Sequence, residues 1–90
     1  MKYKILIADD ETEIRDVLHL YLDQAGFEVA EAADGLETLS LLEKETPDLL
    51  LLDIMMPKLD GYRVLKTLRE KSNIPVIILS AKGDDSDKIL

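Results

Sequence analysis

The sequence contains no cysteine, and it has few basic residues for its number of acidic ones. Without cysteine, neither a disulfide framework nor a thiolate metal site is possible, which agrees with a cytoplasmic location. The chain has 11 lysines and arginines against 19 aspartates and glutamates, a formal net charge of −8. Because this charge repels nucleic acid and anionic membranes, we expect metal cations or basic protein surfaces as direct partners.

Long hydrophobic runs are also missing. No apolar stretch approaches the ~20 residues that span a bilayer, and Met1 to Lys4 lead into neither the apolar core nor the cleavage site of a signal peptide. We therefore expect no membrane partner. With 90 residues, of which 47% are hydrophobic, the chain is long enough for one domain, residues 1–90, with its own core.

Two kinds of apolar segment alternate along the chain. Four are short and nearly continuous, which is typical of strands buried on both faces: Tyr3 to Ala8, Phe27 to Ala32, Leu49 to Leu52 and Val76 to Leu79. Between them, apolar residues recur at helical spacing. The three predicted helices carry Ile14, Val17, Leu18, Tyr21 and Ala25, then Leu36, Leu39 and Leu42, then Tyr62, Leu65 and Leu68.

This alternation of strands and helices predicts an α/β fold with a parallel sheet and right-handed crossovers. We expect the first helix on one face of the sheet and the second and third helices on the other. Ligands of such folds bind at the carboxyl ends of the strands. That edge of the sheet is where functional residues are expected.

Acidic residues follow two of the predicted strands. Asp9, Asp10 and Glu11 come after the first strand, and Asp53 comes after the third. If these strands are neighbours, the carboxylates converge and repel one another unless a cation compensates. Mg²⁺ would do so, since it favours carboxylate and water ligands. Each acid alone is also explained as a cap of the next helix, but the two strand ends together favour a metal site.

Asp53 differs from the other acids in its support. It follows Leu49 to Leu52, so a buried strand holds its backbone. A carboxylate on such a rigid support beside a dication suits a nucleophile for phosphoryl transfer. The structural alternative is a strand-ending aspartate that accepts hydrogen bonds from nearby backbone amides.

Two further segments bear on the same edge. The segment Met56 to Gly61 predicts a constrained turn, in which Pro57 fixes one backbone angle and Gly61 adopts conformations closed to other residues. This turn either aims a backbone carbonyl near Met55 at the metal or is an ordinary strand-to-helix connection. Ser80, at the end of the fourth strand, offers a hydroxyl that could donate to a phosphoryl oxygen.

The pair Asp9–Asp10, Asp53, the run Lys58 to Gly61 and the pair Ser80–Ala81, in this order and spacing, resemble the receiver domain of two-component response regulators. The resemblance covers the whole chain. It implies a flavodoxin-like (CheY-like) doubly wound sheet with strand order 2-1-3-4-5, of which the first four are expected here. The run Leu-Leu-Asp-Ile-Met-Met-Pro is most similar to the winged-helix (OmpR/PhoB-type) class of transcription regulators.

The resemblance implies that Asp53 takes a phosphoryl group from a phosphohistidine of a sensor histidine kinase, as a signalling protein rather than an enzyme. Asp9 and Asp10 would hold Mg²⁺ (or Mn²⁺), with Asp53 and the backbone carbonyl of Met55 completing the protein ligands. Ser80 matches the residue that contacts the phosphoryl group and signals its arrival. DNA would be reached only through an output domain outside this segment.

The resemblance also predicts an incomplete domain. The family has a fifth strand with a lysine at its tip, an aromatic switch residue and a fifth helix, whereas this sequence ends at Leu90. We therefore expect the fifth strand and fifth helix to be absent and the fourth strand to form an exposed apolar edge. Self-association, another chain or a fused segment would then supply a strand beside it.

Three other functions compete with this interpretation. A phosphatase of the haloacid-dehalogenase type also uses a strand-end aspartate, but generally carries a second aspartate two residues later, where this chain has Met55. A flavin-binding relative would need a Ser/Thr-rich loop after the first strand, where Asp9 and Asp10 would repel phosphate. An interaction-only pseudo-receiver would not require the intact set of acids that this chain has, so the acids argue against this function.

Overall fold

The structure of the chain is a computed structural model. It describes residues 2–56, 58 and 60–79. Their strands and helices are β1 (Lys4–Ala8), α1 (Thr12–Gln24), β2 (Glu28–Ala32), α2 (Gly35–Glu45), β3 (Leu49–Asp53), α3 (Gly61–Arg69) and β4 (Val76–Leu79). Neighbouring strands pair in parallel, in the order β2-β1-β3-β4. The predicted α/β fold and its strand order are confirmed.

Helices cover both faces of the sheet, and each face has its own core. Because successive side chains of a strand point to opposite faces, β1 and β3 contribute to both cores. The helices α2 and α3 pack on one face around a core that includes Leu6, Leu50, Leu52, Val64 and Leu68. On the other face, Leu18 and Leu22 of α1 pack on Ile5, Ile7 and Leu51. This arrangement of the helices is the predicted one.

The structure divides the predicted apolar stripe of α1. Leu18 packs against the sheet together with Leu22, four residues later. Val17 and Tyr21 are exposed by 54% and 67%. Val17 precedes Leu18 and Tyr21 precedes Leu22, so each exposed side chain lies about 100° around the helix from a packed one. The predicted apolar stripe is therefore wider than the face of α1 that the sheet covers.

The helices begin and end at residues whose chemistry explains the boundary. Gly26 follows α1 with φ of 96°, a conformation that favours glycine, and the Phe27 amide donates to the Leu22 carbonyl at 3.1 Å. Asp34 and Asp60 cap α2 and α3, because each carboxylate accepts from a backbone amide of the first turn, at 2.8 and 3.0 Å. These caps set the residues at which α2 and α3 begin.

Candidate functional site

Two neighbouring strands bring the predicted acids together. The strands β1 and β3 pair in register up to Ala8 and Leu52, so the next residues, Asp9 and Asp53, lie side by side at the carboxyl ends of the two strands. Carboxylate oxygens of Asp9, Asp10 and Asp53 all lie within 4.8 Å of one another. The convergence that the sequence predicted is therefore present.

Asp53 is held firmly at the end of β3. It is only 5% exposed, and the preceding Leu50 and Leu52 are fully buried. Its Oδ1 accepts a hydrogen bond from the Met55 amide at 3.0 Å, which fixes the direction of the carboxylate. Burial raises the pKa of Asp53 above its ordinary value of 3.8, and the charges of Asp9 and Asp10 raise it further.

Asp9 is also buried, whereas Asp10 is exposed. Asp9 is 3% exposed, and its Oδ1 accepts from the Glu11 amide at 2.8 Å. Burial raises the pKa of Asp9 above 3.8, and the charges of Asp10 and Glu11 act in the same direction. The residue at the N-cap of α1 is Glu11, which makes no capping side-chain bond, so capping of α1 does not explain Asp9 and Asp10.

Three carboxylates this close carry more negative charge than their surroundings compensate. Burial is the main cause of the raised pKa values of Asp9 and Asp53, and repulsion from the neighbouring acids adds to it, so each carboxylate is stabilised by taking up a proton. A hard dication would replace the proton, and an all-oxygen ligand set is the type that Mg²⁺ and Mn²⁺ prefer. The chemistry and spacing of these donors fit such an ion.

The connection from β3 to α3 is shaped by close packing. A Cβ atom on Gly61 would lie 2.5 Å from the Cα of Ile54 and 2.7 Å from the carbonyl oxygen of Asp53. Gly61 has no positive φ, so the predicted reason for this glycine was wrong. Lys58 in this turn has a left-handed backbone, with φ of 69°, and its Nζ lies 3.5 Å from Oδ2 of Asp34.

A depression of about 520 Å³ borders the acids on the side of α3. Its lining residues are Asp10, Ile54, Met55, Met56, Asp60 and Tyr62. Met55 thus lies beside the acids, although its role as a carbonyl ligand stays a prediction. Ser80 and Pro57 lie outside the described residues, so their predicted roles also stay predictions.

The sequence analysis missed Arg15 of α1, which contacts the acidic loop, and Glu31 of β2, which accepts a hydrogen bond from Arg15. Arg15 donates through Nη1 to the backbone carbonyl of Asp9 at 2.7 Å, and through Nε to Glu31 at 3.1 Å. The local signal was an arginine four residues after Glu11, within the first turns of a helix that follows acids. That spacing alone does not reveal a contact with β2.

Comparison with known proteins identifies relatives over almost the whole chain. Residues 5–89 match the family described as "Response regulator receiver domain". A "Probable transcriptional regulator ycf27" of Cyanophora paradoxa is 52% identical over 98% of this chain and 37% of its own length. The "Alkaline phosphatase synthesis transcriptional regulatory protein PhoP" of Bacillus subtilis is 46% identical over the full chain and 38% of its own length.

A solved structure agrees with these matches. The Francisella response regulator 1452 receiver domain has a TM-score of 0.85 and 39% sequence identity, over 93% of this chain and 70% of its own. The chain thus spans little more than a third of the length of the curated relatives above. Within the described residues, no helix is long and apolar enough to cross a membrane.

Proposed function

The chain belongs to the family of response regulator receiver domains, and we propose that Asp53 is its phosphoacceptor in two-component signalling. The observation that carries this proposal is the position of the Asp53 carboxylate. It is buried, held by the Met55 amide, and lies beside two further carboxylates at the end of a central strand. A directed carboxylate of this kind suits nucleophilic attack.

The proposed reaction moves one phosphoryl group from a kinase histidine to Asp53. A carboxylate oxygen of Asp53 forms a bond to phosphorus while the phosphorus–nitrogen bond of the phosphohistidine breaks. The electron pair of that bond stays on the imidazole nitrogen, and the product is an acyl phosphate on Asp53. Because the Met55 amide holds Oδ1 at 3.0 Å, the carboxylate loses little rotational freedom on reaching the attack geometry.

Asp9, Asp10, Asp53 and the backbone carbonyl of Met55 would hold Mg²⁺ or Mn²⁺. When bound, the ion supplies positive charge that offsets the carboxylates and the oxygens of the incoming phosphoryl group. Asp9 and Asp53 must be deprotonated to act as ligands, so protons compete with the metal. Ser80 is proposed to contact the phosphoryl group and to signal its arrival.

The proposed partners follow from the family and from the names of the relatives. A sensor histidine kinase donates the phosphoryl group, and a DNA-binding output domain responds to it in transcription regulation. Self-association, or completion by another chain or a fused segment, is also proposed. It is supported by exposed apolar side chains on α1: Val17, Leu20 and Tyr21.

The test of the phosphoacceptor is labelling with acetyl phosphate and Mg²⁺. We expect the protein to gain one acid-stable, base-labile phosphoryl group, and Asp53→Asn to abolish it. The amide side chain keeps the size of the carboxylate and an oxygen that can accept from the Met55 amide, but it lacks the charge and the nucleophilic oxygen.

The matched control is Asp60→Asn, which removes a carboxylate that lines the same depression as Asp10. Asparagine also caps helices well, so α3 should keep its first turn. Labelling should persist in this variant. Undiminished labelling of Asp53→Asn would show that another residue is the acceptor.

A further inference from the structure

Arg15 ties the acidic loop to helix α1. Its side chain is only 15% exposed, and its guanidinium makes three hydrogen bonds. Nη1 donates to the backbone carbonyl of Asp9 at 2.7 Å, and Nη2 donates to Oγ1 of Thr12 at 3.3 Å. A nearly buried arginine that donates to a loop carbonyl restrains the loop, since the planar guanidinium fixes the direction of each bond.

Glu31 holds the guanidinium from the neighbouring strand. Oε1 of Glu31 accepts from Nε of Arg15 at 3.1 Å, while Oε2 contacts Nδ1 of His19. The Asp9 amide donates to the carbonyl of Ala32, the last residue of β2, at 3.1 Å. Asp9 is therefore tied to β2 twice, directly through its amide and through Arg15 by its carbonyl.

We propose that Arg15, held by Glu31, is a positioning residue that fixes the Asp9–Asp10 segment in the geometry required by a dication. This inference rests on the proposed function, because it assigns Arg15 a role toward the proposed metal. The guanidinium binds the backbone of Asp9 and leaves its carboxylate available. Hydrogen-bonding partners that orient metal ligands typically contribute about 10–100-fold to metal affinity.

The charge of Arg15 and its positioning role have opposite effects on metal affinity. A positive charge close to the acids repels a dication, so charge alone predicts tighter binding when Arg15 is neutralised. Loss of the hydrogen bond to the Asp9 carbonyl loosens the loop and predicts weaker binding. The sign of the change therefore separates the two effects.

The experiment is calorimetric titration of the metal-free protein with Mg²⁺ and, separately, with Ca²⁺, at constant ionic strength. We expect Arg15→Gln to weaken Mg²⁺ binding roughly 10-fold. Ca²⁺ binding should weaken less, because Ca²⁺ tolerates irregular coordination whereas Mg²⁺ demands a near-ideal octahedron. A merely structural role of Arg15 would leave the ratio of the two affinities unchanged.

The control for charge is Lys44→Gln, which removes one positive charge from the exposed last turn of α2. It should leave Mg²⁺ affinity close to that of wild type. Two milder variants guard against misfolding of Arg15→Gln. Glu31→Gln removes the negative charge that holds the guanidinium. Arg15→Lys keeps the positive charge of residue 15 but loses the planar set of guanidinium donors. Both should weaken Mg²⁺ binding by smaller factors and lower the ratio of Mg²⁺ to Ca²⁺ affinity. For Glu31→Gln that ratio is the deciding readout, because loss of a negative charge weakens the binding of both dications alike.

Three results would contradict the positioning role of Arg15 or the metal site on which it rests. Unchanged or tighter Mg²⁺ binding in Arg15→Gln, or in the two milder variants if that one does not fold, overturns the positioning role. An unchanged ratio of Mg²⁺ to Ca²⁺ affinity does the same. If the wild-type protein binds neither ion, the proposed metal site itself fails, which is a different result from failure of Arg15 alone.

Discussion

At the scale of single residues, two buried carboxylates set the properties of the site. Asp9 and Asp53 have pKa values raised by burial first, and then by the neighbouring acids. Asp34 has a lowered pKa, mainly because its carboxylate accepts a hydrogen bond from the Glu37 amide. The same residue type thus destabilises the fold when charged at the site and stabilises it at a helix cap.

The raised pKa of Asp53 predicts a pH-dependent effect of Asp53→Asn on the metal-free protein. A raised folded-state pKa contributes stability that is present below the ordinary value of 3.8 and is lost as pH rises through the folded value. We therefore expect Asp53→Asn to have a higher Tm than wild type at neutral pH. The difference should shrink as pH falls toward 3.8. Thermal unfolding followed by circular dichroism measures it.

Asp34→Asn is the control of opposite sign. In the wild-type protein, the lowered pKa of Asp34 contributes stability at pH values above 3.8. This stability is lost as the pH falls through the pKa of Asp34 in the folded state. This variant should therefore have a lower Tm than wild type at neutral pH and approach it in acid. If Asp53→Asn were less stable than wild type at neutral pH without metal, the charged Asp53 carboxylate would not destabilise the fold.

At the scale of elements, the junction of β3 and α3 depends on a missing side chain. The Gly61 amide donates to the carbonyl of Ile54 at 2.8 Å, which brings the start of α3 against the end of β3. A Cβ atom there would meet backbone atoms of Ile54 and Asp53 rather than flexible side chains. The helix therefore packs at this distance because residue 61 is glycine.

Gly61→Ala should destabilise the protein by ~1–3 kcal/mol, the usual cost of forcing extra volume into a packed region. Urea denaturation measures the loss as a lower midpoint at unchanged slope. The proposed phosphoryl transfer to Asp53 should also slow, since the added methyl group meets the backbone carbonyl oxygen of Asp53.

Gly26→Ala is the comparison variant. Its Cβ atom meets nothing within 4 Å, but φ of 96° strains any residue with a side chain. It should cost ~1–2 kcal/mol without affecting the proposed phosphoryl transfer. Wild-type stability of Gly61→Ala would show that α3 can move away from β3 at little cost.

At the scale of the whole molecule, stability is concentrated in the middle of the sheet. Among the described residues, β1 and β3 pair on both sides, whereas β2 and β4 each pair on one. The buried residues of the core beneath α1, which are Ile5, Ile7 and Leu51, also belong to the two inner strands. Local opening is easiest where fewest contacts are lost.

Hydrogen exchange should therefore be slowest in Ile5 to Ala8 and Leu50 to Leu52, and faster in β2 and β4. The measurement is amide exchange followed residue by residue, combined with sedimentation at the same protein concentrations. Amides of β4 protected as strongly as those of β3 would contradict the expected order. If sedimentation then shows a monomer, a segment of the chain itself protects β4, whereas an assembly indicates a second copy.

The sequence alone determined the fold class, the elements and the edge that carries the site. Strand and helix periods are local properties, and acids directly after strands must lie where the strands end. The amino-acid pattern therefore suffices to locate β1 with Asp9 and Asp10, and β3 with Asp53. The order of the strands came from the resemblance to the receiver family and from the need for the acids to be neighbours.

The contacts that support the site depend instead on how the helices and strands pack. Arg15 reaches Asp9 and Glu31 because of the rotation of α1 about its axis and the register of β2 beside β1. Gly61 is required by the distance between α3 and β3 rather than by its backbone angles. These features depend on how separate elements pack, and packing brings together residues that are distant in sequence, so no local pattern records them.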